Sequence, residues 1–254
     1  MNLFNRVTGP GAAACLCWTL SLGAVALAFP GPERSGAFMS HPVMLGFTAL
    51  LAALLLFSGL RAVTRGRVDS ALLHAGCACV MAGWLAGQFA VRTATQERPA
   101  VGAMALVAGD VSDKLWAGDN LDKSAGRVPF TVRLEKFFVE RYERNEHDRD
   151  MGSDAPVREY RSRVTVTEPG KEPYVINVRV NHPVRVGDYH IYQLSWGQSN
   201  DVYGRPVTYT VLQFIRDPGL PAVYAGFVVL FAGILLFAWR VFRAKASDVR
   251  EVAP

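Results

Sequence analysis

The chain predicts a membrane protein of four transmembrane α-helices, with a β-rich extracytoplasmic domain, an antiparallel sandwich or open barrel, inserted between helices 3 and 4. Three observations predict it. The chain has 254 residues with 27 basic and 22 acidic side chains, yet only ten of these charges fall in the first 100 positions. Four stretches, 11–29, 42–60, 70–91 and 220–239, are apolar and long enough to cross a bilayer core of about 30 Å. Between the third and fourth lies a segment whose apolar residues alternate with polar ones. The implied organisation is a membrane region 1–91 with three helices, a domain 92–217, and a region 218–254 with the fourth helix and a basic tail.

Each span is free of Asp, Glu, Lys and Arg. Orientation follows from the flanking cations. Arg6 precedes the first span, Arg61, Arg65 and Arg67 join the second to the third, and Arg240, Arg243, Lys245 and Arg250 follow the fourth. Alternating spans put all of these on one side, so both termini are expected in the cytoplasm and 92–217 outside. Trp84 and Trp239 suit the two aromatic belts. The first span, with Arg6 before it and Ala26-Leu27-Ala28 at its end, also has features of a cleavable signal peptide. Its length beyond the usual 7–15-residue apolar core favours a retained helix. Cys15, Cys17, Cys77 and Cys79 all fall inside spans, so the exported segment carries no disulfide.

Within 92–217, Phe130, Val132 and Leu134 alternate with polar residues, as do Tyr160, Ser162, Val164 and Val166, and the odd–even pattern continues over 174–180. Further strands are expected at 189–196 and 207–215, with a turn at Glu168-Pro169-Gly170-Lys171. The charge-dense stretch 140–150 reads as a solvated loop or frayed helix, with His147 a lone imidazole.

Chemistry is sparse. There is no phosphate-binding loop, dinucleotide fingerprint, GxSxG, HExxH or CxxCH, so no active-site chemistry is expected. The exported segment carries equal numbers of acids and bases, which excludes a nucleic-acid role. His74 is the leading candidate, lying about one turn inside the third span. Ionisable residues within a span are costly and mark function, and imidazole is a standard axial ligand of haem iron. The bland alternative is a histidine bonded to a neighbouring helix. His41, at the outer end of the second span, is a weaker interfacial candidate. The two Cys-x-Cys pairs allow a redox relay. Packing is the preferred reading: Ala71, Ala75, Cys79, Gly83 and Gly87 form a four-spaced small-residue stripe, matched by Ala222, Gly226 and Gly233. In Val180–Gln193, a strand–turn–strand pattern leaves His182 and His190 either converging on a ligand or serving as turn residues.

That segment carries a resemblance. Asn181-His182-Pro183-Val184, then Gly187 and Tyr192-Gln193, is similar to the signature of the ResB-like cytochrome c biogenesis proteins. Phe138-Val139-Glu140 with Tyr142, and Glu159-Tyr160-Arg161-Ser162, resemble the family's sheet. Asp217-Pro218-Gly219 with Tyr224 and Gly226 resembles its return to the membrane, and His74 with Gly76 and Gly83 its third span.

The resemblance implies an accessory subunit, not an enzyme, of the System II pathway in the bacterial cytoplasmic membrane. Haem b would cross the membrane transiently, with His74 as ligand, and be joined to apocytochrome c outside. The implied partner is a multi-span protein with a Trp-rich haem-handling motif, since no Trp-Gly-x-x-Trp run occurs here. A thioredoxin-like thiol reductant is a further implied partner, and lipid surrounds the spans. Relatives commonly have larger exported domains, so functions housed there do not carry over. The alternative reading is a membrane-anchored extracytoplasmic binding or scaffold module without haem.

Overall fold

The computed structural model describes residues 41–118, 120–142, 156–201 and 203–251, without the side chains of 244–251. The first span, Cys15, Cys17 and His147 lie outside the described residues. Two compact units result: Ala90–Asp217 is one, and the described residues before Ala90 and from Pro218 onward form the other.

The first unit has three helices, α1 (Pro42–Thr64), α2 (Val68–Arg92) and α3 (Leu220–Glu251). Among the described residues three segments are long and apolar enough to cross a membrane: Pro42–Thr64, Val68–Arg92 and Leu220–Arg243. All three helices outrun their apolar cores, because charged residues at a water boundary continue a helix already nucleated. His41 caps α1, its Nδ1 accepting from Val43 N–H at 3.3 Å, and Pro42 follows where no donor is needed. The helix ends in a Schellman turn. Arg67 N–H donates to Ala62 O, Gly66 N–H donates to Val63 O, and Gly66 takes the left-handed φ of 68° this turn requires.

Helices α2 and α3 meet backbone to backbone. A β-carbon on Gly76 would lie 2.6 Å from Leu230 N, and one on Gly226 would lie 2.8 Å from Val80 N. Gly83 and Gly219 face each other still more closely, and Gly233 rests against Leu72 and Leu73. Small residues permit this approach, which substitutes for a hydrophobic driving force that lipid does not supply. Cys79 belongs to the same contact, its thiol donating to Ala222 O at 3.2 Å. Cys77 and Cys79 are both unbridged. At one end of the pair Arg240 Nη1 reaches Asp69 Oδ1 at 3.1 Å, and Asp69 is buried in the first turn of α2, where a carboxylate also suits the helix dipole.

The second unit is one antiparallel sheet of eight strands: β1 (Val101–Val107), β2 (Val111–Ala117), β3 (Lys123–Arg141), β4 (Val157–Thr167), β5 (Tyr174–Arg179), β6 (Val184–Val186), β7 (Tyr189–Asn200) and β8 (Pro206–Ile215). Their spatial order is β5-β4-β3-β2-β1-β8-β7-β6. The outermost strands, β5 and β6, are consecutive in the chain and joined by only four residues. Such a link spans at most about 17 Å, so the sheet must curl until its two edges lie near each other, and the link itself turns tightly through an Arg179–His182 bridge. The product is an open barrel with a single interior. Met104, Leu115, Val132, Leu134, Val164, Val178, Val186, Ile191, Leu212 and Phe214 from all eight strands fill it. Phe130 packs edge-on to Tyr189 at 6.0 Å between ring centroids.

Two strands absent from the sequence reading, β1 and β2, complete the sheet. In β1 the buried residues are consecutive, and β2 carries Ser112, Asp113 and Lys114 across a bulge, so neither alternates cleanly. The expected loop at 140–150 is corrected at its start: β3 runs on through Glu140 and Arg141, paired with Glu159 and Val157. The turn at 168–171 is present, with Lys171 N–H donating to Glu168 O and Gly170 at φ 74°. Glu168 accepts from Tyr174 Oη at 2.8 Å and from Lys171 Nζ at 3.0 Å, which lowers its carboxyl pKa. Burial together with that carboxylate pushes the Tyr174 phenol up to about 12.

Candidate functional site

His74 lies in the second turn of α2, half-buried, on the side of that helix near Gly59 of α1. A β-carbon built on Gly59 would come within 3.4 Å of the His74 Cβ, so the glycine lets the two helices approach closely at His74. His74 Nδ1 stands 2.6 Å from Ser70 O. A carbonyl oxygen only accepts, so Nδ1 carries the proton and donates. In the neutral ring Nε2 then keeps its lone pair, the state in which imidazole binds iron, and the same hydrogen bond fixes the ring orientation. The residues thus fit one axial ligand of a haem. No group of three or more His, Cys, Asp or Glu side chains gathers as a metal site among the described residues.

The remaining predicted residues build the closure of the barrel. Asn181 takes a left-handed φ of 60° between β5 and β6, a conformation that asparagine tolerates better than other side-chain-bearing residues. His182 N–H donates to Arg179 O, and its Nδ1 donates to Val180 O at 3.0 Å. Pro183 has no N–H and ends the turn. Gly187 opens the two-residue β6–β7 hairpin with φ 56°, while Asp188 is not left-handed, the pattern of a type II′ turn. Tyr192 and Gln193 follow on β7. Register pairs His190 with Arg185, so His182 and His190 are not brought together.

Gln193 is a buried polar residue inside the barrel. Its Oε1 accepts from Ser162 Oγ at 2.6 Å, and its Nε2 donates to Thr210 Oγ1 at 2.7 Å and to Ser195 O at 3.2 Å. The Ser162 and Thr210 hydroxyls are 2.9 Å apart and fully buried. This closed set ties β4, β7 and β8 together at the β7 bulge between Gln193 and Ser195. The alternation places Ser162 on an inward position without assigning it a partner, and Thr210 is not singled out in the sequence, although both occupy positions where the alternation calls for apolar side chains. Beyond them Phe137, Tyr160 and Trp196 cluster with ring centroids 5.8–6.5 Å apart.

Asp217, Pro218 and Gly219 lead into α3. Gly219 O accepts from Val223 N–H, and a β-carbon on Gly219 would collide with Gly83 O. The signature therefore divides by purpose: 181–193 shapes the barrel join, and 219 permits helix contact.

The model of the ResB-like family matches residues 65–207, from the turn before α2 to the start of β8. Protein NrfI of Wolinella succinogenes is 29% identical over 129 residues, a match spanning 48% of this chain and 12% of that protein. The family match takes in His74, the barrel closure, Ser162 and Gln193, and covers more than half of the chain; the chain belongs to the ResB-like family.

Proposed function

We propose that this chain is a membrane subunit of a System II cytochrome c biogenesis apparatus, holding haem as it crosses the bilayer for attachment to apocytochrome c outside. Membership of the ResB-like family points to cytochrome c biogenesis. The observation that carries the haem reading is His74, proton-bearing at Nδ1 through Ser70 O and so open to iron at Nε2. In this reading haem b is a transient substrate, and a multi-span partner with a Trp-rich motif supplies the remaining contacts. The protein sits in the bacterial cytoplasmic membrane with both termini cytoplasmic and the barrel outside, where apocytochrome c and a thioredoxin-like reductant meet it. It has no catalytic residue of its own. The arginine-rich connections beside the spans support the orientation.

The test is an absorption spectrum of the chain purified with its partner. Wild type is expected to carry a Soret band. His74→Gly is expected to lose most of it, and imidazole added to that variant to restore it, a rescue a merely structural histidine would not show. Equal haem content and an identical Soret band in wild type and variant contradict the ligand assignment. Such a result would favour the binding or scaffold reading, in which haem plays no part.

A further inference from the structure

The outer face of β3, β4 and β5 carries charge in an arrangement that costs the sheet stability. Cross-strand register places Lys136 directly opposite Arg163, and Arg161 directly opposite Arg179. Like charges in such pairs repel. The next row sets Glu140 opposite Glu159, and these carboxylates reach diagonally to Arg161 at 3.4 Å and Arg179 at 3.9 Å. Lys136 and Arg163 are both exposed, and neither forms an ion pair among the described residues. The Lys136 ammonium and the Arg161 guanidinium each lie 5.0 Å from the Phe138 ring centroid. The three arginines line a concavity of about 620 Å³ together with Phe138, Ile176 and Val184. Local conflicts of this kind concentrate at functional sites.

We infer that this concavity binds a small ligand bearing two or more carboxylates on an apolar body. Guanidinium groups take carboxylates in paired hydrogen bonds, so the three that line the concavity present more donors than Glu140 and Glu159 consume. The volume falls within the range of small-molecule sites, and Phe138, Ile176 and Val184 supply an apolar wall beside the cations. This site is independent of His74 and of the haem reading.

The experiment is a fluorescence titration of the full chain in neutral detergent with naphthalene-2,6-dicarboxylate. Saturable binding that weakens as salt rises is expected. Arg163→Gln is expected to weaken it at least about tenfold, the loss of one charge-assisted contact. Arg133→Gln, outward on the same strand but paired with Glu135 at 3.7 Å, is expected to leave it unchanged. Phe138→Ala is expected to weaken the dicarboxylate while leaving pyrophosphate, titrated by calorimetry, unaffected. Absence of saturable binding overturns the proposal, as does equal weakening by Arg133→Gln. Tighter binding of a poly-glutamate peptide than of the dicarboxylate also overturns it, because the face would then recognise an acidic protein segment.

Discussion

Replacing Gly219 by alanine is expected to unseat α3 from α2. The added β-carbon would overlap Gly83 O and come within 2.7 Å of Gly83 C. Both are backbone atoms of a helix, so no rotamer change relieves the overlap. Ordinary overpacking costs about 1–3 kcal/mol because side chains give way; here a helix must move, and the cost is expected to exceed that range. The Gly76–Leu230 and Gly226–Val80 approaches lie along the same contact and would open with it. A thermal unfolding series in detergent checks this, with Gly46→Ala as control. Gly46 lies within α1 with nothing within 4 Å of its added β-carbon. Its replacement is expected to be neutral or to stabilise by about 0.5–1 kcal/mol.

The second large effect is expected from Gln193→Glu, compared with Gln193→Leu. Leucine removes the amide but leaves Ser162 and Thr210 bonded to each other, so a loss of about 1–3 kcal/mol is expected. Glutamate keeps the shape but replaces the Nε2 donor that faces Thr210 Oγ1 and Ser195 O with an acceptor. A buried carboxylate without a cation resists ionisation, so its folded pKa rises above the unfolded value of about 4.3. The unfolded chain then releases the proton first. Stability of the Glu variant is therefore expected to fall as pH rises from about 4 to 7, whereas the Leu variant tracks wild type. Denaturant unfolding at several pH values, read by Trp fluorescence, separates the two; a pH-independent Glu variant would show that the site is wetter than the hydrogen bonds indicate.

Apolar runs without charge and strict alternation were legible in the sequence because each reports burial directly. Residues 42–60, 70–91 and 220–239 are helical, and the alternation over Tyr160–Thr167 and Tyr174–Val180 matches β4 and β5. Bulges hid the rest. At Leu134/Lys136 the inward set of β3 passes from even to odd numbers, so Phe137 faces the interior beside Ser162 and the strand no longer reads as one. The same shift in β7 moves the inward set from Gln193 to Trp196. The single curled sheet was not legible, because it depends on β1 pairing with β8 across more than a hundred residues. His74 was found by its cost within an apolar span. Its tautomer became evident only with Ser70 O in place, and the outer-face cations acquired meaning only once register set Lys136 against Arg163.

The proposed role makes cytochrome c assembly depend on this chain, and covalent haem in a strain lacking its gene measures that dependence. Haem-stained gels of membrane and exported fractions are expected to show c-type cytochromes reduced to background. Wild-type chain supplied in trans is expected to restore them, and the His74→Ala chain is not. Undiminished c-type cytochromes in the deletion strain would rule that role out.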